Sequence, residues 1–167
     1  MRRFLPVPIA ALLLAGACTP KTEAPAAGAA ATVDTAAVKT GLDSLRAHYI
    51  ALQTSGDATG LAGLFTETAG VDIYGAPRMR GRAAIEATFK ADFAARKFPM
   101  TEISPTSMNA RTSDEASEIG TYHNMHDLNG AKDHEWGRYL AAFGKGADGQ
   151  WRLAYLIAFS DSTKAEK

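Results

Sequence analysis

VKTGLDSLRAHYIALQTSGDATGLAGLF, residues 38–65, contains the signals for the first two helices of the fold. Apolar residues in its first part recur at alternating spacings of four and three, which is the period of one helix face. This stripe predicts a helix of about five turns and consists of Val38, Leu42, Leu45, Tyr49 and Leu52. Gly56 is suited to end the helix, and Asp57 is suited to cap a second, shorter helix over residues 58–65.

A strand and a third helix follow. Residues 71–74 alternate between apolar and polar positions, which predicts a short strand, and the turn residues 75–77 close it. Gly81 then precedes a helix in which apolar residues recur four apart, at Ile85, Phe89 and Phe93.

The second half of the chain consists of strand-forming segments, at residues 101–108, 116–125, 135–143 and 150–159. Asn129-Gly130 and Asp148-Gly149 are tight-turn signals, so the last three strands are expected to form an antiparallel meander. The order of elements predicts an α+β fold, with a curved antiparallel sheet and helices packed on one face.

The start of the chain has the features of an export signal. Arg2 and Arg3 are positively charged, residues 4–14 form an apolar run, and small residues lead directly into Cys18. The run is much shorter than the ~20 residues of a membrane-spanning helix, so we expect a cleaved signal over residues 1–17.

Residues 14–18, Leu-Ala-Gly-Ala-Cys, resemble the lipobox of bacterial lipoproteins. The resemblance implies that Cys18 is lipidated. Thr19, in place of Asp, implies the cell envelope and the periplasmic face of the outer membrane. The alternative is an ordinary secretory signal with a chance cysteine. Residues 18–37 are rich in alanine and proline, and we expect them to form a flexible tether.

Composition limits the classes of function. Without residues 1–17 the chain has 150 residues, enough for one domain with a core. It has no cysteine other than Cys18, which excludes disulfides and a thiol nucleophile. Removing Arg2 and Arg3 leaves 16 basic against 18 acidic residues, a formal charge of −2, so no nucleic-acid partner is expected.

Several motifs in this order resemble the nuclear-transport-factor-2-like superfamily, which includes the ketosteroid isomerases and the SnoaL-like cyclases. They are YIAL and SGD within residues 49–57, LAGLF at 61–65, MRGR at 79–82, GRY at 137–139 and DGQWR at 148–152. The resemblance covers about residues 38–160, and residues 161–167 are expected to be a disordered tail. It implies a cone-shaped sheet, with three helices from the N-terminal half on its concave face. It also implies a pocket for a small, mainly apolar ligand and, in many members, a homodimer through the outer sheet face.

Ketosteroid isomerases use one carboxylate as base and two hydrogen-bond donors, a tyrosine and a protonated aspartate. By resemblance, Tyr49 falls on the donor tyrosine, the base position falls on Ile73, and the second donor position falls on Tyr139. Asp72 is one residue away from the base position, which in a strand means the opposite face. A one-residue bulge would return Asp72 to the pocket, so it stays a candidate.

His123 is the fallback base. Its strand set (Ile119, Thr121, His123, Met125) is more apolar than the alternating set (Glu118, Gly120, Tyr122, Asn124), so we expect His123 to point inward. The alternative is that His123 merely lines a wall or contacts a dimer partner.

Other sites are weakly supported by the sequence. His134-Glu135 begins like a zinc-protease motif, but Arg138 stands where the second histidine is needed. His123 and His126 are three apart in a predicted strand and face opposite ways, so neither a metal site nor a cofactor is expected.

Aromatic residues of the last strands are expected to belong mainly to the core. Trp151, Leu153, Tyr155, Ile157 and Phe159 are predicted to share one face of the last strand. Tyr139 and Tyr155 are suited to contact a ligand near the mouth of the cone. Trp136 lies on the face opposite Tyr139, which favours the outer rim or a dimer interface.

We therefore expect a lipid-anchored module that binds a small, mainly apolar molecule without catalysis. The expected pocket residues are Tyr49, Phe65, Ile73, Phe89, His123, Tyr139 and Tyr155. The first alternative is an isomerase, cyclase or hydrolase with Tyr49 and Tyr139 as donors and Asp72 or His123 as base. The second is a homodimerisation or docking module whose cavity is filled by its own side chains.

Overall fold

The structure is a computed structural model that describes residues 32–166. The predicted export signal, Cys18 and most of the predicted tether lie outside the described residues. Three helices occupy the first half of the domain: α1 (Thr35–Ser55), α2 (Ala58–Gly63) and α3 (Arg82–Ala95). Within residues 32–166, no helix combines the length and apolar character needed to cross a membrane.

Helix α1 begins three residues before the predicted start at residue 38, and the domain begins with it. The helix starts earlier because Asp34 caps it: the Asp34 carboxylate accepts a hydrogen bond from the Ala37 N–H at 2.9 Å. The apolar stripe does not reveal this cap. The helix ends as predicted at Gly56, whose backbone is left-handed with φ of 74°.

Helix α2 is capped by Asp57 as predicted, but it is shorter than predicted. The Asp57 carboxylate accepts a hydrogen bond from the Gly60 N–H at 2.8 Å. The helix ends at Gly63, and Phe65 already belongs to a strand. Arg82 of α3 donates two hydrogen bonds to the Phe65 carbonyl oxygen, from Nε at 3.0 Å and from Nη2 at 2.6 Å.

Six strands form one sheet. They are β1 (Phe65–Ile73), β2 (Met79–Arg80), β3 (Lys97–Ala110), β4 (Glu115–Leu128), β5 (Ala131–Lys145) and β6 (Trp151–Ala165). Their order across the sheet is β2-β1-β6-β5-β4-β3. The predicted α+β class and the antiparallel meander through β4, β5 and β6 are confirmed.

One strand pairing was not predicted: β1 lies parallel to β6. The sheet is therefore mixed, and it is open, with β2 and β3 at its two edges. A parallel neighbour requires a long crossover connection, and here α3 and the whole meander separate the two strands in sequence.

Strand β6 contains a bulge that changes which side chains face the helices. Phe143 pairs with Leu153 and Ala142 with Tyr155, so Ala154 is an extra residue on β6. Leu153 and Leu156 consequently share the inner face, and Tyr155 lies outside. The prediction of one alternating face through residues 151–159 is wrong for this reason.

A second irregularity lies near the end of β6. Gly137 pairs with Ser160 and Trp136 with Ser162, which leaves Asp161 as an extra residue. Beyond it the strand stays paired, and Ala165 lies opposite Asp133. The expected disordered tail is therefore wrong for residues 161–165, which form regular strand.

Helices α1 and α3 pack on the inner face of the sheet. The largest fully buried side chains come from all three helices and from β1: Leu42, Leu61, Phe65, Val71 and Ile85. Truncating one such side chain to alanine costs about 2–5 kcal/mol. These side chains belong to the core that joins the helices to the sheet. A cavity remains beside this core, between the helices and the inner face of the sheet.

Candidate functional site

A cavity of about 460 Å³ lies between α1, α3 and the inner face of the sheet. Its volume is within the range of about 300–1,000 Å³ that is typical of small-molecule pockets. Most of its wall is apolar or aromatic, with Leu45, Phe89 and Phe93 from the helices and Ile73, Ile103 and Leu156 from the strands.

Four of the seven predicted pocket residues line this cavity: Tyr49, Ile73, Phe89 and Tyr139. Burial among apolar neighbours raises the pKa of Tyr49 to about 12, because the phenolate form is disfavoured there. The Tyr49 phenol is therefore neutral at physiological pH and remains a possible hydrogen-bond donor.

Phe65 lies behind the wall. It is fully buried, and its ring packs against those of Tyr49 and Phe89, with centroids 6.5 and 6.0 Å away. The prediction that it lines the pocket is wrong, because it starts β1 deep in the core and two lining residues cover it.

Asp72 faces away from the cavity, and Ile73 takes the inward position. On the outer side the Asp72 carboxylate lies 2.8 Å from Arg78 and 3.3 Å from Arg80, and it accepts a hydrogen bond from the Tyr155 hydroxyl. The Tyr155 hydroxyl, together with the two arginines, lowers the pKa of Asp72. A lowered pKa is the opposite of what a general base at neutral pH requires.

Tyr155 also lies on the outer face of the sheet, because the extra residue Ala154 reverses the alternation of side chains after Leu153. The Arg80 guanidinium lies 5.3 Å from the centre of its ring. Asp72, Arg80 and Tyr155 form an outer cluster, and the prediction that Tyr155 faces the pocket is wrong.

His123 also lies on the outer face. Its ring stacks on Trp136, with centroids 4.6 Å apart, and its Nε2 lies 2.9 Å from His134 Nδ1. The expectation that His123 points inward is wrong, whereas the outer placement of Trp136 agrees with the structure.

The sequence contained a signal for this correction. With Asn129-Gly130 as a two-residue turn, counting outward places His123 opposite Trp136 and Gly120 opposite Tyr139, as the structure has them. Directly opposed residues share a face, so an inward Tyr139 requires His123 to point outward.

The inner face of β4 carries a buried charge, Glu118, which is paired inside the fold. Glu118 is 4% exposed, and its Oε2 accepts a hydrogen bond from Arg46 Nη2 of α1 at 2.6 Å. Its Oε1 accepts from the Tyr139 hydroxyl at 2.6 Å. Burial and the Glu118 carboxylate both raise the pKa of Tyr139 above its ordinary value. The Tyr139 hydroxyl is thus already engaged with Glu118.

A second polar group occupies the same cavity around His126, which the sequence analysis considered only as a metal ligand. His126 Nδ1 lies 2.8 Å from Asp133 Oδ1, and Nε2 lies 3.3 Å from Glu135 Oε2. The Tyr122 hydroxyl donates to Glu135 Oε1 at 3.1 Å. The His126 ring is the main cause of a lowered pKa of Glu135. Counting from the Asn129-Gly130 turn would have paired His126 with Asp133.

The order of helices and strands, the cone and the enclosed cavity can be compared with known families. The model of the SnoaL-like domain matches residues 34–157, which is more than half of the chain. The chain belongs to the SnoaL-like domain family. This family is part of the nuclear-transport-factor-2-like superfamily, so the predicted membership is confirmed.

Solved structures share the fold of this SnoaL-like domain. A ketosteroid isomerase-like protein from Erwinia carotovora atroseptica has a TM-score of 0.66 at 14% identity, over 74% of this chain and 95% of that chain. A hexachlorocyclohexane dehydrochlorinase (LinA, type 2) has a TM-score of 0.68 at 14% identity, over 80% and 92%.

A third structure is an NTF2-like protein with a cystatin-like fold from Novosphingobium aromaticivorans. It has a TM-score of 0.61 at 22% identity, over 74% of this chain and 82% of that chain. At these identities the similarity shows the fold. No curated protein matches the sequence.

The outer face of the SnoaL-like domain carries an exposed apolar side chain on each of the three strands of the meander. Ile119 of β4, Leu140 of β5 and Phe159 of β6 are 48%, 41% and 45% exposed. Among residues 32–166, no three histidine, aspartate or glutamate side chains are arranged to hold a metal ion.

Proposed function

We propose that this SnoaL-like domain binds a small, mainly apolar molecule in its cavity. The observation that carries the proposal is the 460 Å³ cavity with a largely aliphatic and aromatic wall. Transfer of an apolar ligand from water to such a wall gains roughly 25 cal/mol for each Å² of apolar surface removed from water.

The polar groups of the cavity support binding rather than the chemistry predicted for the isomerase alternative. Neither Asp72 nor His123 reaches the cavity, so neither can take a proton from a ligand there. Of the two expected donors, Tyr139 already donates to Glu118. Tyr49 lines the cavity and stays a candidate donor.

The proposal is tested by calorimetric titration with naphthalene, a neutral apolar probe. Ala158 lines the cavity, so Ala158→Phe reduces the space for the probe. Ala142 lies on the other face of the neighbouring strand β5, since it pairs with the outward Tyr155, and Ala142→Phe is the matched control. We expect saturable binding to the wild type and to the control, and at least tenfold weaker binding to Ala158→Phe. Absence of saturable binding, or equal binding by both variants, would contradict the proposal.

A second candidate, acid–base catalysis, is favoured by one observation. The carboxylate of Asp133 orients the ring of His126, which is one of the residues that line the cavity. A histidine oriented by a carboxylate is an arrangement used by general bases. A tetralone, whose carbon next to the carbonyl carries exchangeable protons, is a suitable probe.

The two candidates differ in whether the protein accelerates exchange of those protons in heavy water, measured by nuclear magnetic resonance. A binding module leaves the rate at background. A catalyst raises it, and His126→Asn abolishes the rise whereas His134→Asn, on the outer face beside Trp136, does not.

We also propose that Cys18 carries a lipid and that the domain is held at the periplasmic face of the outer membrane. The supporting observation is the order of basic, apolar and small residues before the single cysteine of the chain. In a bacterial host, Cys18→Ser should abolish incorporation of labelled palmitate and move the protein from the membrane to the soluble fraction. Retention of the label in Cys18→Ser would contradict this.

A homodimer through the outer sheet face is proposed on the exposed apolar side chains of β4, β5 and β6. Monomeric proteins seldom leave a large contiguous apolar patch in water. The other face of the sheet is covered by α1 and α3, so the outer face is the one that a partner subunit can cover.

A further inference from the structure

Two methionines and two histidines lie next to one another on the sheet. Met100 of β3 pairs with Met125 of β4, and Met125 pairs on its other side with His134 of β5. His123 stands two residues before Met125 and points to the same side of β4. Directly opposed residues have Cβ atoms about 4.5–5.5 Å apart, so these four side chains form one group, here called the Met–His patch.

The Met–His patch faces outward, away from the cavity. Thr101 and His126 line the cavity, so the residues directly before them, Met100 and Met125, point to the opposite side of the sheet. All four side chains of the patch are partly exposed. An ion in the solvent can therefore reach them.

The ring nitrogens of the two histidines converge. His123 Nε2 lies 2.9 Å from His134 Nδ1. Two nitrogens that bind one metal ion at about 2.0–2.1 Å each lie about 3 Å apart. The pair is thus spaced to hold one ion with little movement of either ring, once the hydrogen that the two nitrogens share has moved to Nε2 of His134.

A carboxylate orients the first of these rings. Glu102 Oε2 lies 3.4 Å from His123 Nδ1, on the side of the ring away from His134. A carboxylate only accepts hydrogen bonds, so Glu102 favours the ring hydrogen on Nδ1 and leaves the lone pair of Nε2 for a metal ion. Glu102 therefore orients a ligand and does not itself reach the ion, so a third ligand has to come from the methionines.

The Trp136 ring lies against both imidazoles. Its centroid is 4.6 Å from that of His123 and 5.6 Å from that of His134, and its plane is within 19° of both. A cation held between the two imidazoles lies at a comparable distance from the indole, within the range of about 6 Å over which an aromatic face attracts a cation. The indole therefore adds to the attraction for a positive ion.

The methionines and a neighbouring lysine decide which metal ion suits the patch. A thioether is a soft ligand that selects Cu(I), whereas zinc prefers nitrogen, thiolate and carboxylate ligands. Lys164 of β6 pairs with His134 on the side away from Met125. Its positive charge repels a divalent ion about twice as strongly as a monovalent one. Both features favour a soft monovalent ion.

We propose that the Met–His patch is a Cu(I) site on the outer face of the sheet. His123 Nε2, His134 Nδ1 and the thioether of Met125 hold the ion, and Met100 supplies a second thioether beside Met125. Trp136 covers the ion from one side. The site is separate from the cavity and does not depend on the binding function proposed for it.

The test is a titration of the whole chain with Ag(I), a soft monovalent ion that keeps its oxidation state, in chloride-free buffer. All proteins carry Cys18→Ser, since a free thiolate would itself bind a soft ion. We expect saturable binding in calorimetry together with quenching of tryptophan fluorescence. Trp136→Phe should lose the quenching, because the other tryptophan, Trp151, is buried in the core. Competition with bicinchoninate under reducing, oxygen-free conditions then measures Cu(I) itself.

Two substitutions separate the thioether from the imidazoles. Met125→Leu keeps the volume of the side chain and should weaken Ag(I) binding at least about tenfold, the scale of ligand-shell changes at metal sites, while weak Zn(II) binding stays within about twofold. His134→Asn should weaken the binding of both ions. Met108→Leu is the matched methionine control, because Met108 pairs with Glu118 on the inner side. His48→Asn, on the exposed side of α1, is the histidine control.

Three results would overturn the site. The first is absence of saturable Ag(I) binding to the parent protein. The second is equal Ag(I) affinity of Met125→Leu and Met108→Leu, which would exclude the thioether as a ligand. The third is Zn(II) binding as tight as Ag(I) binding, which would contradict the preference for a soft ion. None of them bears on the cavity, which the naphthalene titration tests separately.

Discussion

Arg46, Glu118 and Tyr139 form a buried network whose disruption should be asymmetric. Arg46→Met leaves the Glu118 carboxylate, which is 4% exposed, with one hydrogen bond from Tyr139 and without its positive partner. Breaking a buried pair in this way costs about 3–5 kcal/mol. Arg46 is itself 15% exposed, which places the expected loss toward the lower end.

Glu118→Gln should cost less, about 1–2 kcal/mol, because the amide oxygen can still accept a hydrogen bond and no unpaired charge is left. Arg46 then keeps Asp43, which lies 2.8 Å away at the surface. Replacing all three residues by Arg46→Met, Glu118→Leu and Tyr139→Phe should recover much of the loss, since apolar replacement of a whole buried pair is often neutral or stabilising.

Urea unfolding followed by circular dichroism measures these differences. With a slope of about 2 kcal/mol per molar urea, Arg46→Met should lower the midpoint by about 1.5–2 M. Arg138→Met is the control. Its ion pair with Asp161 lies on the exposed face and should be worth about 0–1 kcal/mol. A loss for Arg46→Met no larger than that of Arg138→Met would refute the view that the network is desolvated.

Three further predictions concern other parts of the molecule. Because the pKa of Tyr49 rises from about 10 in the unfolded chain to about 12 in the fold, the unfolded state loses this proton first. Stability should therefore fall between pH 10 and pH 12 by up to about 3 kcal/mol. Tyr49→Phe should remove this part of the slope in urea unfolding at several pH values, and an unchanged slope would contradict it. Tyr155→Phe should leave the calorimetric affinity for naphthalene unchanged, because Tyr155 lies outside the cavity with Asp72, whereas Phe89→Leu should weaken it; equal effects would argue against the assigned wall. Leu140→Lys, at the centre of the exposed apolar face, should convert a homodimer into a monomer in sedimentation experiments, and a monomeric wild type would end that proposal.

Much of the fold follows from local signals in the sequence. The apolar stripe of α1, the cap at Asp57 and the left-handed end at Gly56 each act within a few residues, so the sequence shows them directly. The Asn129-Gly130 turn likewise sets the pairing of β4 with β5 over their full length. The missed cap at Asp34 is also local, and it was masked because the apolar stripe begins only at Val38.

The candidate site was harder to predict, because alternation along a strand shows the period but not which face is inside. On β4 the more apolar face, with Ile119, is the exposed one, and the face with Glu118 is buried. Burial of Glu118 becomes favourable only through Arg46, which lies 72 residues away in the sequence. The Asn129-Gly130 turn shows that His123 and Tyr139 lie on opposite faces, but no local pattern shows which of the two faces is inside.

Short-range periodicity, caps and turns predict most of the helices and strands, their order and the family, because each of these signals acts within a few residues. Tertiary structure decided the inside and outside of the cone. The extra residue Ala154 places Tyr155 on the outer face. On β4, the hydrogen bond between Glu118 and Arg46 accompanies burial of the Glu118 face, with His126 lining the cavity and His123 on the outer face. In a strand a shift of one residue exchanges the two faces, so the choice depends on contacts between distant segments.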